Sequence, residues 1–362
     1  MTEKIRVMHV LHFGRMNKRN GVIDAVLSLA QAQRRAGGEV LVASASQNTS
    51  VAENEYSLFR TKADFEALLL SFKPDIVHVH DMYWMEMPMV AHCLKNNDIP
   101  YLLTFHGGAS KVSARKKWFK KKVARILLFN YVIRNAKRVV YLTEGEMRSS
   151  IAHRTNSRYL IIPNGISLPE KLPERLPEKP FTIIFLSRME FHGKGIDLLE
   201  QAVSKLKNEL SGQVQFKLYG YTYDDTYHIF DQYGDFARYC GYVQGEEKAK
   251  VLAEADIMIL PSRSEGMPVS ILEGLAYGLP CIVTPQTNMG DLVQNGRCGW
   301  VCQLSAESIA DTIRQAVADY QSNSSVLQSN ARAAAERYSW QNIANQSLEQ
   351  YRNIITNENA KS

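Results

Sequence analysis

Short apolar, largely β-branched runs alternate along the chain with stretches of helical periodicity. In the first half the runs are IRVMHVLHF, EVLVASA, DIVHVHD, YLLTFH and VVYLT, and in the second FTIIFLS, VQFKLYG, DIMILPS and PCIVTP. Strand alternating with helix predicts parallel sheets covered by helices on both faces. Between the two series lies SLPEKLPERLPEKP, whose four prolines and many charges exclude a packed element. The pattern therefore predicts an α/β protein with a first domain over 1–168, an exposed linker over 169–180 and a second domain over 181–339. Near the end, Trp340, Ile343, Ser347, Leu348, Tyr351 and Ile355 fall on one helical face with an apolar majority, so a helix over about 340–357 needs a partner surface. Two doubly wound domains of this kind are expected to face each other across a cleft, with ligands beyond the carboxyl ends of the strands.

Composition narrows the setting. A chain of 362 residues, 45% hydrophobic and 22% charged, is long enough for two cores. Its five cysteines include no C-x-x-C pair, and Cys298 and Cys302 have no histidines at zinc-ligand spacing, which suits a reducing cytosol. The opening MTEKIRVMHV lacks a signal-peptide core, and no apolar run approaches the roughly 20 residues needed to cross a bilayer. The expectation is a cytoplasmic protein, at most peripheral on the inner face of the membrane. Residues 1–168 carry 25 Lys and Arg against 13 Asp and Glu, whereas the remainder has 18 against 24. The first half is thus expected to face something anionic.

The most informative stretch is SRSEGMPVSILEGLAYGLP, residues 262–280. It follows a strand, places Glu265 and Gly266 at the carboxyl end, and puts Pro268 where it suits the first turn of a helix. The amides near Val269 and Ser270 then form an anion site, because a helix N-terminus carries about half a positive charge. One turn further in, Glu273 can accept hydrogen bonds from the vicinal hydroxyls of a ribose, while Glu265 can hold a sugar ring. The competing reading takes SILE as a capping box with Ser270 at the N-cap, which leaves Gly266 and Pro268 without a role.

This stretch resembles the E-G-x-P and helical second Glu of family-four retaining glycosyltransferases with the GT-B fold. The resemblance covers most of the chain: IIPNGIS resembles the family's P-N-G turn, SRMEFHGKGIDLL its Arg and Lys loop, and YSW its returning C-terminal helix. It implies two Rossmann-like domains, a final helix packing back on the first of them, and a nucleotide-diphosphate-sugar donor held mainly by the second. Gly266, Met267, Pro268, Val269, Ser270 and Glu273 are then donor-binding residues, and Glu265 orients the sugar. Arg188 and Lys194 become the cations that stabilise the departing diphosphate, an electrostatic role that needs no metal. No D-x-D occurs in the chain, which leaves a metal-dependent GT-A arrangement without support. The alternatives are a solvated loop charge at Lys194 and a broken phosphate loop in GKG, since G-x-x-x-x-G-K-[ST] fails at Gly195.

In the first domain, the family's adjacent glycines are replaced by Asn20 and Gly21, so close backbone approach to the diphosphate is expected at Gly21. His106, followed by Gly107 and Gly108, ends a strand where a histidine is aimed at a ligand, and the resemblance places it near the transferred sugar. His78 and His80 share a strand face and with Asp81 imitate a metal site, although ordinary hydrogen-bonded histidines are commoner. His80 is close enough to the strand end to touch substrate. The spacing over residues 111–138 predicts a basic amphipathic helix, with Lys116, Lys117, Lys120 and Lys121 on its charged face. That face is either simply solvated or a dock for an anionic membrane surface or lipid-phosphate acceptor. Nucleic acid is not expected, because Trp118, Phe119 and Tyr131 do not form a stacking ladder.

Taken together, the residues and the resemblance imply a retaining, metal-independent enzyme moving a sugar to a glycan or lipid-linked acceptor, in cell-surface polysaccharide assembly. An epimerase or hydrolase on the same frame is a second reading, and a non-catalytic glycan-binding relative a third.

Overall fold

The computed structural model describes residues 4–13, 21–48, 50–81, 84–107, 129–171, 180–222 and 225–359. The chain packs as two compact units, Met1–Gly165 with Trp340–Ser362, and Ile166–Ser339. Each is an open parallel sheet with helical crossovers.

The first unit contains β1 (Arg6–Leu11), β2 (Glu39–Ser44), β3 (Ser57–Leu58), β4 (Ile76–His80), β5 (Tyr101–Thr104), β6 (Arg138–Tyr141) and β7 (Tyr159–Ile161). Their spatial order is β3-β2-β1-β4-β5-β6-β7, and every pairing is parallel. Side chains alternate across a strand, so the two faces of the sheet differ. Met8, Val10, Val77, Val79 and Leu103 point into an apolar cluster with Phe65, Leu69, Val90, Leu94 and Val132. Helices Lys62–Phe72, Met87–Asn96 and Asn130–Asn135 supply the covering side chains. The opposite face presents His9, His78, His80 and Thr104, all buried.

Over that polar stripe lie helix Gly21–Arg35 and the returning helix Trp340–Asn359, which pack against each other. The returning helix buries Ile343, Ala344, Ser347, Leu348, Tyr351 and Ile354. Ile354, rather than the expected Ile355, completes the face, because the buried stripe steps by four, four and three from Ile343. Trp340 lies against Gly165, where an added Cβ would stand 2.2 Å from the indole ring.

The second unit contains β8 (Phe181–Leu186), β9 (Val214–Tyr219), β10 (Ala237–Tyr239), β11 (Ile257–Leu260), β12 (Cys281–Val283) and β13 (Gly299–Val301). Their order is β10-β9-β8-β11-β12-β13, again wholly parallel. Four strands escape the sequence pattern. β3, β7, β10 and β13 are two or three residues long and occupy the four sheet edges, where there is little apolar surface to bury.

In both sheets the strand order reverses beside the first strand, between β1 and β4 and between β8 and β11. Such a switch point opens a crevice beyond the strand ends, where ligands of doubly wound sheets bind. Among the described residues no helix is long and apolar enough to cross a membrane. All five cysteines are free, and burial pushes the thiols of Cys298 and Cys302 up to about 11 and about 12.

Candidate functional site

In the second unit the two loops at the β8/β11 switch point are packed onto each other. Gly195, with φ of +71°, is the reason they can be: a Cβ there would lie 2.0 Å from the Pro261 carbonyl oxygen. The contact is tied further by Arg263, whose amide donates to the Gly193 carbonyl at 2.9 Å. Its guanidinium grips Asp197 through two bonds of 2.6 and 2.8 Å. Burial raises the Asp197 carboxyl, but the hydrogen bonds and charge of Arg263 outweigh it and hold the group below its ordinary value.

This docking brings Lys194 and Glu265 together. Lys194 Nζ lies 2.6 Å from Glu265 Oε1, with side chains only 12% and 13% exposed. Ser262, fully buried, donates its hydroxyl to the same oxygen at 2.7 Å. Among the described residues Oε2 receives no hydrogen bond, which leaves one lone-pair edge of the carboxylate for a ligand. The loop itself is held by Asn288, whose side-chain amide donates to the Glu265 carbonyl at 2.7 Å and the Gly266 carbonyl at 3.2 Å. Met267 is buried and anchors the loop to the core.

Gly195→Ala is therefore expected to lower stability by more than about 2 kcal/mol, from left-handed strain and the clash at Pro261 together. Transfer activity should fall with it as the Lys194–Glu265 pair is displaced. Urea denaturation and initial rates check both.

Helix Val269–Ala276 follows, with Pro268 at the N-cap. Pro268 therefore stands one position before the helix rather than in its first turn. A proline offers no side-chain oxygen to the first amides, unlike the Ser, Thr, Asp or Asn usual at an N-cap. The amides of Val269 and Ser270 have no partner among the described residues, so the positive end of the helix is left open. Ser270 lies inside the helix, so SILE is not a capping box. Glu273, on the same helix, is bound by Lys248 Nζ at 2.5 Å, from helix Gly245–Glu254. Arg188 stands apart, more than half exposed, with Glu190 at 3.8 Å as its ion-pair partner.

The first unit's switch point carries a different chemistry. His9 Nδ1 and His80 Nε2 are 2.8 Å apart, and His80 Nδ1 and His106 Nε2 are 3.1 Å apart. The far nitrogen of His9 meets Gln33 Oε1 at 2.7 Å, and Gln33 Nε2 donates to Ser347 Oγ at 2.8 Å. His78 is held between Tyr351, at 2.6 Å, and Thr104, at 2.7 Å. His9, His78 and His80 are clustered closely enough to ligate one ion. Every one of their six ring nitrogens is already committed to a hydrogen bond, so the cluster is a polar network in the core and not an open ligand set. Asp81 is not a member of it.

Burial lowers all four histidines, His9 and His106 to about 4, and His78 and His80 well below their ordinary value. All are neutral at pH 7. The turn after β5 is fixed from beneath by buried Glu146, which accepts the Gly107 amide at 2.6 Å and the Leu142 amide at 2.7 Å. Burial raises the Glu146 carboxyl against the lowering effect of these amides. Gly21 begins helix Gly21–Arg35 and is exposed, with no atom within 4 Å of where its Cβ would stand.

Lys116, Lys117, Lys120 and Lys121, Gly108 and most of the proline-rich segment lie outside the described residues. Sequence reasoning missed Lys248, Arg263, His9 and Gln33, and read Ser347 only as part of a helical face. Arg263 adjoins the motif and carried a local signal, whereas Lys248 is 25 residues from its partner and Ser347 is 314 from Gln33.

Two doubly wound units built in this way constitute the GT-B fold of glycosyltransferases. The family description Glycosyltransferase Family 4 matches residues 19–169, and Glycosyl transferases group 1 matches residues 180–319. The chain is 22% identical over 299 residues to an uncharacterized glycosyltransferase of Methanocaldococcus jannaschii, covering 77% of this chain and 75% of that one. The sucrose-phosphate synthase of Thermosynechococcus elongatus superposes over 98% of this chain and 100% of its own, with a TM-score of 0.76 at 17% identity. Anabaena HepE in complex with UDP covers 96% and 99%, with a TM-score of 0.75 at 15% identity. The chain belongs to the group 1, family-four glycosyltransferases, and it is a glycosyltransferase enzyme.

Proposed function

We propose that the protein is a retaining glycosyltransferase that moves a sugar from a nucleotide-diphosphate donor to a glycan or lipid-linked acceptor. The observation that carries this reading is the largely buried Lys194–Glu265 pair beside an open helix N-terminus at one switch point. The diphosphate lies against the amides of Val269 and Ser270, with Lys194 and Arg188 as cations. Glu273 takes the ribose hydroxyls, and Glu265 uses Oε2 for the sugar. HepE, of the same fold, binds UDP, and a uridine nucleotide is the first donor class to test.

In the reaction the bond from the anomeric carbon to the diphosphate oxygen breaks, and the acceptor oxygen bonds to that carbon on the same face. Glu265 Oε1 is committed to Lys194 and Ser262, so it is a poor candidate for the base. The acceptor proton goes instead to the leaving diphosphate. Fixed cations and amides stabilise the charge developing there, which removes the need for a metal ion. The excess of basic residues in the first half suits an acidic or lipid-phosphate acceptor of cell-surface polysaccharide assembly at the cytoplasmic membrane face.

Calorimetry with UDP, GDP and their sugar conjugates in metal-free buffer tests the donor site. Micromolar binding of one series is expected, weakened at least about tenfold in Glu273→Ala and in Arg188→Ala, a loss of roughly 1.4 kcal/mol or more. Wild-type affinity in both variants would remove the assignment.

A further inference from the structure

We propose that Ser347, Gln33, His9 and His80 form a one-directional hydrogen-bond relay that fixes the tautomer of His106, so that His106 presents an unprotonated Nδ1 to its ligand. The direction follows from one bond at the far end. Ser347 Oγ lies 2.8 Å from the Ala344 carbonyl oxygen, which can only accept, so the serine hydroxyl donates there. Ser347 must then accept from Gln33, which turns the amide nitrogen of Gln33 toward it and leaves Oε1 facing His9.

From there each neutral imidazole has one choice. A ring that donates from one nitrogen accepts at the other. His9 donates from Nε2 to Gln33, so its Nδ1 accepts from His80 Nε2. His80 Nδ1 therefore accepts from His106 Nε2. The proton of His106 is on Nε2, and Nδ1, which has no partner among the described residues, holds a lone pair on a residue of intermediate exposure.

The relay requires neutral rings, because an imidazolium inserted at His9 or His80 would donate in both directions and reverse the order. The lowering of all three rings by burial meets that requirement at pH 7. A ring so reluctant to take a proton is a hydrogen-bond acceptor that orients a hydroxyl, rather than a base that removes its proton. Gln33, Ser347, His9 and His80 are positioning residues in this scheme. They belong to helix Gly21–Arg35, the returning helix Trp340–Asn359, β1 and β4, so the last helix of the chain sets the state of a ring on the loop after β5.

The functional consequence rests on the role given to His106 at the transferred sugar. The tautomer itself does not, which separates the two tests. Histidine nitrogen NMR on the full-length protein, with His106→Asn used to assign the resonance, is expected to show His106 protonated at Nε2 alone. Gln33→Leu leaves His9 Nε2–H without an acceptor. A buried N–H without a partner is rarer than a buried acceptor without one. The relay should then reverse, moving the His106 proton to Nδ1. In that variant kcat should fall about tenfold, while nucleotide affinity, measured at the second unit, stays at the wild-type value. An Nδ1-protonated His106 in the wild-type protein overturns the relay whatever the variant does. So does an unchanged tautomer in folded Gln33→Leu. If the tautomer moves and kcat does not, the relay stands and the role of His106 in transfer fails.

Discussion

Lys194→Ala is expected to lower kcat by about 10²- to 10³-fold, the range for removing one preorganised donor aimed at developing charge. Two effects combine in that substitution. The leaving diphosphate loses a cation, and Glu265 loses the partner that holds one of its oxygens at 2.6 Å. The pair is largely buried, and breaking such a pair from one side costs about 3 kcal/mol because the remaining charge is stranded. A loss of activity in the single variant therefore mixes chemistry with folding.

The double variant Lys194→Met with Glu265→Gln separates them. Replacing both charges with groups of similar volume removes the stranded carboxylate, and stability should return to within about 1 kcal/mol of wild type. Activity should not return, since neither the cation nor the ionised carboxylate is present. Denaturant midpoints and single-turnover rates on the wild type, Lys194→Met, Glu265→Gln and the double variant measure both quantities. Recovery of kcat in the double variant would reduce the pair to a structural clamp and end its assignment to the diphosphate and sugar.

Acidification from pH 6.5 to 4 is expected to destabilise the first unit by about 3 kcal/mol for a histidine lowered as far as His9 or His106. The sign follows from proton binding. Between the folded value of about 4 and the unfolded value of 6.5, the unfolded chain takes up protons that the folded chain refuses. Stability therefore rises with pH across that window and is lost as pH falls through it. His78 and His80 act in the same direction, and because the four rings interact their contributions are not a simple sum. Glu146 opposes them, since burial raises its carboxyl and favours the folded state at lower pH. One carboxyl stands against four rings, so the net slope is expected to keep its sign. Urea midpoints at pH 7, 6, 5 and 4.5 read it directly. A flat midpoint across the series would mean that the rings are already charged or already hydrated in the native state.

The alternation of apolar runs with helical stretches was enough to specify two doubly wound units, because strands buried on both faces are apolar over most of their length, the buried stripe of His9, His78, His80 and Thr104 notwithstanding. Its failure at the four edge strands has the same cause, since a strand covered on one side by nothing needs no such run. The E-G-x-P stretch was equally legible: Glu265, the open amides and Glu273 lie within nine residues and are placed by one strand, one loop and one helix. His106 could be read from its position at the end of β5.

Pairing could not be read in this way. The sequence determined which acids, cations and histidines the protein has and that strand ends would carry them. Only the tertiary structure decided that Lys194 holds Glu265 and Lys248 holds Glu273, across separations of 71 and 25 residues. It alone decided that His9, His80 and His106 are linked, with their protons ordered by a serine on the final helix. Local spacing dictates what a single turn or strand presents. The direction of a hydrogen bond and the partner of a charge depend on which backbone packs against which, and here that is settled by parallel register and by a glycine at position 195 that lets two loops touch.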